Sequence, residues 1–305
     1  MRVFVTGASG HIGSAVVPEL LSHGHQVVGL ARSARSAAAL EAAAAEAWRG
    51  DLDDLDGLRA AAAAADGVIH LAFKHEAMAS GDYLSAIADD LKAIEAMGTA
   101  LEGTGKPFVG TGGTLMLALG GIKGRAGTER DVVAGGPRVD AENTVAGFAG
   151  RGIRSSLVRL SPLVHSSLDH HGFAHALIGI ARAKGVSGYV GDGANRWPAV
   201  HTLDAARLYL LALESAPAGS RLHGVADEGV PFRDIAGVIG SRLGLPTASV
   251  DPQDADAHFG FLGMLVGRDN PTSNALTREL LGWEPVHAGL LDDLAHGHYF
   301  DGVTG

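Results

Sequence analysis

The chain has 305 residues, 46% of them hydrophobic and 19% charged, with a formal net charge of −10 and no cysteine. That composition suits a globular protein with a sizeable core. It excludes disulfides, thiolate chemistry and cysteine-ligated zinc. No basic stripe invites nucleic acid, no apolar run has the length of a membrane span, and no signal region precedes the first strand. A cytoplasmic location in a reducing compartment is expected.

The elements alternate from the start. "RVFVTG" reads as a strand, "SAVVPELLSHGH" as a helix, "QVVGLAR" as a strand and "SAAALEAAAAEA" as a helix. "AEAWRGDL", "GVIHLA", "PFVGTG" and "RSSLVRLSP" supply four more strands. Helices are expected between them in "DLDGLRAAAAAA", "DYLSAIADDLKAIEAMGTALEGTG" and "AENTVAGFAGRG". Strand–helix alternation implies right-handed βαβ crossovers, and strands apolar throughout imply a parallel sheet covered on both faces. The expected architecture is α/β, a Rossmann-type doubly wound sheet. Residues 1–164 form its dinucleotide-binding core. Residues 165–305 form mainly a smaller substrate lobe, with segments returning to the core.

"TGASGHIG" lies between the first strand and the first helix. Gly7 allows a tight turn, Gly10 lets the backbone approach a pyrophosphate, and Gly13 lets helix and strand pack closely. Ser9, His11 and Ile12 complete the loop. The second strand runs into "GLARSARS", where Arg32 and Arg35 stand and an acidic residue does not. A basic residue there suits a 2′-phosphate, which favours NADP(H) over NAD.

With "RGDLDD", "GVIHLA", "VRLSPLVH" and "WPAVHTLDAARLY", this loop resembles the extended and atypical short-chain dehydrogenase/reductase superfamily over nearly the whole chain. The resemblance implies that Asp51 and Leu52 sit at the adenine. It places Leu71, Ala72 and Phe73 on the ribose side, and Pro162 and Leu163 at the nicotinamide. It also implies a small-molecule substrate, homodimerisation through long helices, and a catalytic Tyr-x-x-x-Lys pair assisted by a serine or threonine.

That pair is missing. Tyr83, Tyr189, Tyr209 and Tyr299 are followed four residues later by Ile87, Gly193, Leu213 and Val303. Anchoring on Glu142, which resembles the family's glutamate one turn on, puts Arg138 at the lysine position and Ala134 at the tyrosine position. Some atypical members carry His-x-x-x-Arg here, and this chain keeps the arginine. Arg138 can hold a ribose or substrate oxygen but cannot act as a general acid near neutral pH. Thr111 and Thr114 are candidates to bind a carbonyl oxygen.

His165 suits proton delivery, with Lys74, His75 and bulk water as alternatives. His170, His171 and His175 follow His165, but they lack a compact ligand signature, and no metal is expected. Tyr189 and Arg196, in the turn-rich segment with Asp192 and Asn195, are candidate substrate contacts. The expected function is reduction of a carbonyl or conjugated double bond by an NADP(H)-dependent oxidoreductase. A non-redox isomerase, dehydratase or cyclase and a non-catalytic NADP sensor stand as alternatives.

Overall fold

The computed structural model describes residues 1–75 and 82–300. In chain order the strands are β1 (Arg2–Thr6), β2 (Gln26–Ala31), β3 (Glu46–Arg49), β4 (Gly67–His70), β5 (Pro107–Gly113) and β6 (Arg154–Leu160). They continue as β7 (Leu163–His165), β8 (Ser187–Val190), β9 (Arg196–His201), β10 (Ser220–Gly224), β11 (Asp227–Pro231) and β12 (Thr247–Val250). Seven of them form one sheet in the order β10-β6-β5-β4-β1-β2-β3, with every pairing parallel.

The first strand shows why the sheet is buried on both faces. Val3, Phe4 and Val5 are all fully buried. Alternate side chains leave a strand on opposite faces. Val3 and Val5 pack with Val16 and Leu20 of the helix Gly13–Ser22 and Leu208 of the helix Thr202–Ser215. Phe4 packs on the other side with Leu58, Met97, Phe108 and Phe148. A third cluster, around Trp197, Phe232, Phe259 and Leu294, fills the smaller body built on the sheet β11-β9-β7 and the pair β12-β8. Among the described residues no helix is long and apolar enough to cross a membrane.

One feature departs from the sequence expectation. The alanine-rich run predicts helix to Ala47, but the helix stops at Ala42. Ala44 then takes a left-handed φ of 62°. The chain has to reverse there so that β3 can pair with β2, from Val28↔Glu46 onward. One edge strand of the sheet, β10, comes from the carboxyl half and pairs with β6 from Ser220↔Ser156.

That edge strand explains a buried polar network. Glu142 is buried and bonds Arg159, with Nε 3.0 Å away, and Arg221, with Nε also 3.0 Å away. Arg159 Nη1 lies 3.2 Å from His223 Nε2, while His223 Nδ1 lies 2.7 Å from the carbonyl of Ser273. A guanidinium can only donate, so Nε2 accepts and Nδ1–H donates. Burial, then the Arg159 charge, lowers the His223 pKa to about 3. The folded protein therefore takes up this proton far later than the unfolded chain, and stability falls as pH drops below the unfolded histidine value. Between pH 7 and pH 5 this residue alone should remove about 2 kcal/mol. Urea midpoints at the two pH values check this, and a midpoint independent of pH would contradict it.

Candidate active site

The glycine loop is shaped by backbone contacts that leave no room for a side chain. Gly7 has a φ of +66°, and a Cβ there would lie 2.8 Å from Ala72 N and 2.9 Å from the Leu71 carbonyl carbon. A Cβ on Gly13 would lie 2.2 Å from Gly7 O and 2.6 Å from Ala8 C. Gly10 donates its N–H to Gly7 O at 3.0 Å, which closes the turn. The helix Gly13–Ser22 has no acidic residue in its first turn and no side-chain cap at its amino end. The positive end of its dipole suits a bound anion. A cradle that a Cβ would fill, in front of an uncapped helix, fits the pyrophosphate of a dinucleotide. Ser9 and Gly10 are exposed on it, His11 and Ile12 half-buried.

The flanking residues lie at the same carboxyl edge of the sheet. Arg32 and Arg35 are exposed just beyond β2, on either side of Ser33, which caps the helix Ala34–Ala42. Asp51, past β3, is exposed and uses one oxygen to accept the N–H groups of Asp53 and Asp54 at 2.8 and 3.2 Å. Leu52 is buried against the Phe4 cluster. Leu71 and Ala72 run directly against Gly7.

The side chains around Phe73 carry the strongest chemistry. The Arg138 guanidinium lies 4.1 Å over the centre of the Phe73 ring, and its Nη1 donates to Asp90 Oδ2 at 2.7 Å. Asp90 is buried, and its other oxygen lies 3.1 Å from His70 Nε2. Arg138 has a φ of 66°, a left-handed conformation that costs an L-residue energy and persists only where the surroundings enforce it. The rings of His75 and Tyr83 meet Phe73 edge-on at 5.1 and 6.2 Å. Burial, with Arg138 adding to it, lowers the His75 pKa, and burial raises that of Tyr83. Both therefore stay neutral near pH 7: the tyrosine keeps its phenolic proton, and the histidine lacks the second proton that an imidazolium would donate.

The helix expected from Ala141 begins earlier in the structure. The helix starts at Val139, so Ala134 lies in the loop before it and shares no helix face with Arg138. Glu142 lies in the buried network with Arg159 and Arg221. Sequence reasoning also missed Asp90, His70 and Tyr83. Asp90 did leave a signal. It shares the spacing of Ala86, Ala93, Ile94 and Met97 on the buried face of the helix Tyr83–Leu101, where an unpaired carboxylate would be costly.

The other sequence candidates have internal partners. Thr111 donates to the carbonyl of His70 at 2.7 Å and lies 2.8 Å from the hydroxyl of the fully buried Tyr209. Thr114 is buried and accepts from Asn270 Nδ2 at 3.3 Å. His165 is fully buried, with Nδ1 2.8 Å from Asp293 Oδ2 and Nε2 without a hydrogen-bond partner among the described residues. Its carbonyl accepts from Thr202, whose hydroxyl lies 2.8 Å from His11 Nε2, so His165 backs onto the glycine loop.

His171 N–H, Gly172 N–H and the Tyr299 hydroxyl all bond the buried Asp169 carboxylate, and His175 bonds its carbonyl. His170 is exposed beside them. Among the described residues no three such side chains are arranged to hold a metal ion. Pro162 is half-buried and Leu163 buried. Arg196 is paired with Asp269 at 2.8 Å, and Tyr189 packs on the third apolar cluster. Lys74 lies 2.6 Å from both Asp53 and Asp89.

Residues 3–101, from β1 through the helix that carries Asp90, match the model of the NAD dependent epimerase/dehydratase family. The chain is 48% identical over 302 residues to Uncharacterized protein C2A9.02 of Schizosaccharomyces pombe, an alignment covering 98% of this chain and 100% of the other. The fold is that of DesIV, a dTDP-glucose 4,6-dehydratase from Streptomyces venezuelae solved with NAD and TYD bound. The two superpose with a TM-score of 0.76 at 19% identity, over 97% of this chain and 95% of that one. A UDP-glucose 4-epimerase from Thermotoga maritima, solved with UDP-glucose, gives a TM-score of 0.76 at 18% identity, over 97% and 96% of the two chains.

Proposed function

We propose that the chain is an NADP(H)-dependent oxidoreductase that reduces a carbonyl or conjugated double bond of a small organic substrate. The observation that carries this reading is Arg138, held over Phe73 by a buried carboxylate beside the glycine cradle. The reduced nicotinamide, when bound, supplies a hydride. Arg138 offers fixed N–H donors to a substrate oxygen gaining negative charge, stabilisation that is strongest where water is excluded. Tyr83 then protonates that oxygen, because Thr111 and Thr114 bond internal partners and His165 is fully buried with Nδ1 on Asp293. In the same reading the enzyme is cytoplasmic, and the long helices are the surface through which two copies would pair.

The preference for NADP rests on Arg32 and Arg35 at the end of β2. Arg32→Ala should weaken NADPH binding at least about tenfold while leaving NADH nearly unchanged, since a charge-assisted contact to the 2′-phosphate is lost. Titration of both dinucleotides checks it, and equal losses would remove the preference. The family description favours one alternative, a non-redox dehydration or epimerisation on the same scaffold. Offering NADPH with a panel of carbonyls and enones tests the reductase reading. Substrate conversion without net loss of NADPH would select the alternative.

A further inference from the structure

Thr6 ends β1 and His70 ends β4, and the two are paired in register. Both are buried, and their side chains meet, with Thr6 Oγ1 2.7 Å from His70 Nδ1. The same oxygen accepts the backbone N–H of Ala72 at 3.2 Å and that of Leu71 at 3.2 Å, the latter shared with the Thr6 carbonyl at 3.3 Å. A hydroxyl oxygen has two acceptor positions, and both are taken. Its own proton is therefore donated to His70, whose Nδ1 must be unprotonated. A neutral imidazole carries its proton on the other nitrogen, so Nε2–H donates to Asp90 Oδ1, 3.1 Å away. Asp90 is then an ionised acceptor, filled by His70 on one oxygen and by Arg138 on the other.

We propose that Thr6, His70 and Asp90 are positioning residues, a directed hydrogen-bonded chain that sets Arg138 and couples it to the glycine loop. Each end has a mechanical reason to matter. The Leu71–Ala72 backbone that Thr6 holds is what a side chain on Gly7 would strike, so the loop rests on it. At the far end a buried carboxylate keeps Arg138 in its left-handed conformation over Phe73. Reversing one hydrogen bond would leave donor facing donor or acceptor facing acceptor elsewhere in the chain, which couples its members.

The inference rests on the reading of Arg138 as part of a dinucleotide site, and two measurements separate the two claims. In the ligand-free protein, nitrogen-15 NMR of the His70 ring, assigned with His70→Gln, should show the Nε2–H tautomer at pH 7. A ring protonated on Nδ1 would overturn the chain whether or not any dinucleotide binds. The second measurement is a double-mutant cycle on NADPH affinity with Thr6→Val, Arg138→Ala and the pair. Thr6 and Arg138 share no hydrogen bond, so independent action would make the losses additive within about twofold. The chain predicts a departure of about threefold or more, because removing either end already releases the other. Thr6→Ser, which keeps the hydroxyl, should restore the wild-type behaviour. Additive losses would overturn the proposal, and absence of NADPH binding to the wild type would overturn the functional reading while the tautomer still decides the chain.

Discussion

Gly13→Ala should be the most damaging single methyl that can be added to this protein, costing about 3 kcal/mol of stability and about a hundredfold in NADPH affinity. The added Cβ would sit 2.2 Å from Gly7 O and 2.6 Å from both Ala8 C and Ala8 O. All three are backbone atoms, so no rotamer change relieves the contact. Either the helix Gly13–Ser22 moves off β1 or the loop opens, and both changes displace the N–H groups that would face a pyrophosphate. Gly179, inside the helix Phe173–Lys184, provides the control, because nothing lies within 4 Å of the position its Cβ would take. Gly179→Ala should gain roughly 0.5–1 kcal/mol from helix propensity alone. Urea denaturation and dinucleotide titration of the two variants check the contrast. A Gly13→Ala protein that binds and melts like the wild type would mean that the loop is not packed as described.

Removing the Arg138 side chain should be nearly as costly, and the choice of replacement separates two causes. Arg138→Ala leaves the buried Asp90 carboxylate without its cation and removes the stacking on Phe73, for a loss of roughly 3 kcal/mol. Arg138→Gly suffers the same losses but adopts a φ of 66° without the penalty an alanine pays there. The glycine variant should therefore be about 1 kcal/mol more stable than the alanine variant, and both should lose turnover alike. Arg138→Lys should not rescue activity, because a point ammonium does not reproduce the planar fork. If Arg138→Ala keeps wild-type stability and kinetics, Arg138 is an ordinary surface arginine.

Local pattern made the sheet readable. β1, β2, β4 and the start of β5 are mostly apolar runs, and the loop Gly7–Gly13 lies where a strand hands over to a helix. The edge strand β10 was not readable in this way. "SRLHG" contains an arginine and a histidine, and they can be buried only because Glu142 and Ser273, both far away in sequence, pair with them. The site shows the same division. Arg138 was visible from the glutamate that follows it, but its partner Asp90 lies 48 residues earlier on another helix. Tyr83 was passed over because a search for tyrosine followed by lysine sees only its own helix, whereas Tyr83 meets Phe73 from a different segment. His165 fits the proton-donor role by type and position along the chain. Its burial and its bond to Asp293 depend on a contact across 128 residues that no local pattern announces.

Arg138 is expected to work at a dinucleotide-dependent reducing site. The most direct measurement is oxidation of NADPH, followed at the nicotinamide absorbance, by wild type and Arg138→Ala with a panel of carbonyls and enones. Tight NADPH binding, turnover of at least one substrate by the wild type, and a loss of about a hundredfold or more in the variant are predicted. Tight binding with no turnover across the panel, or equal turnover by the two proteins, would contradict it.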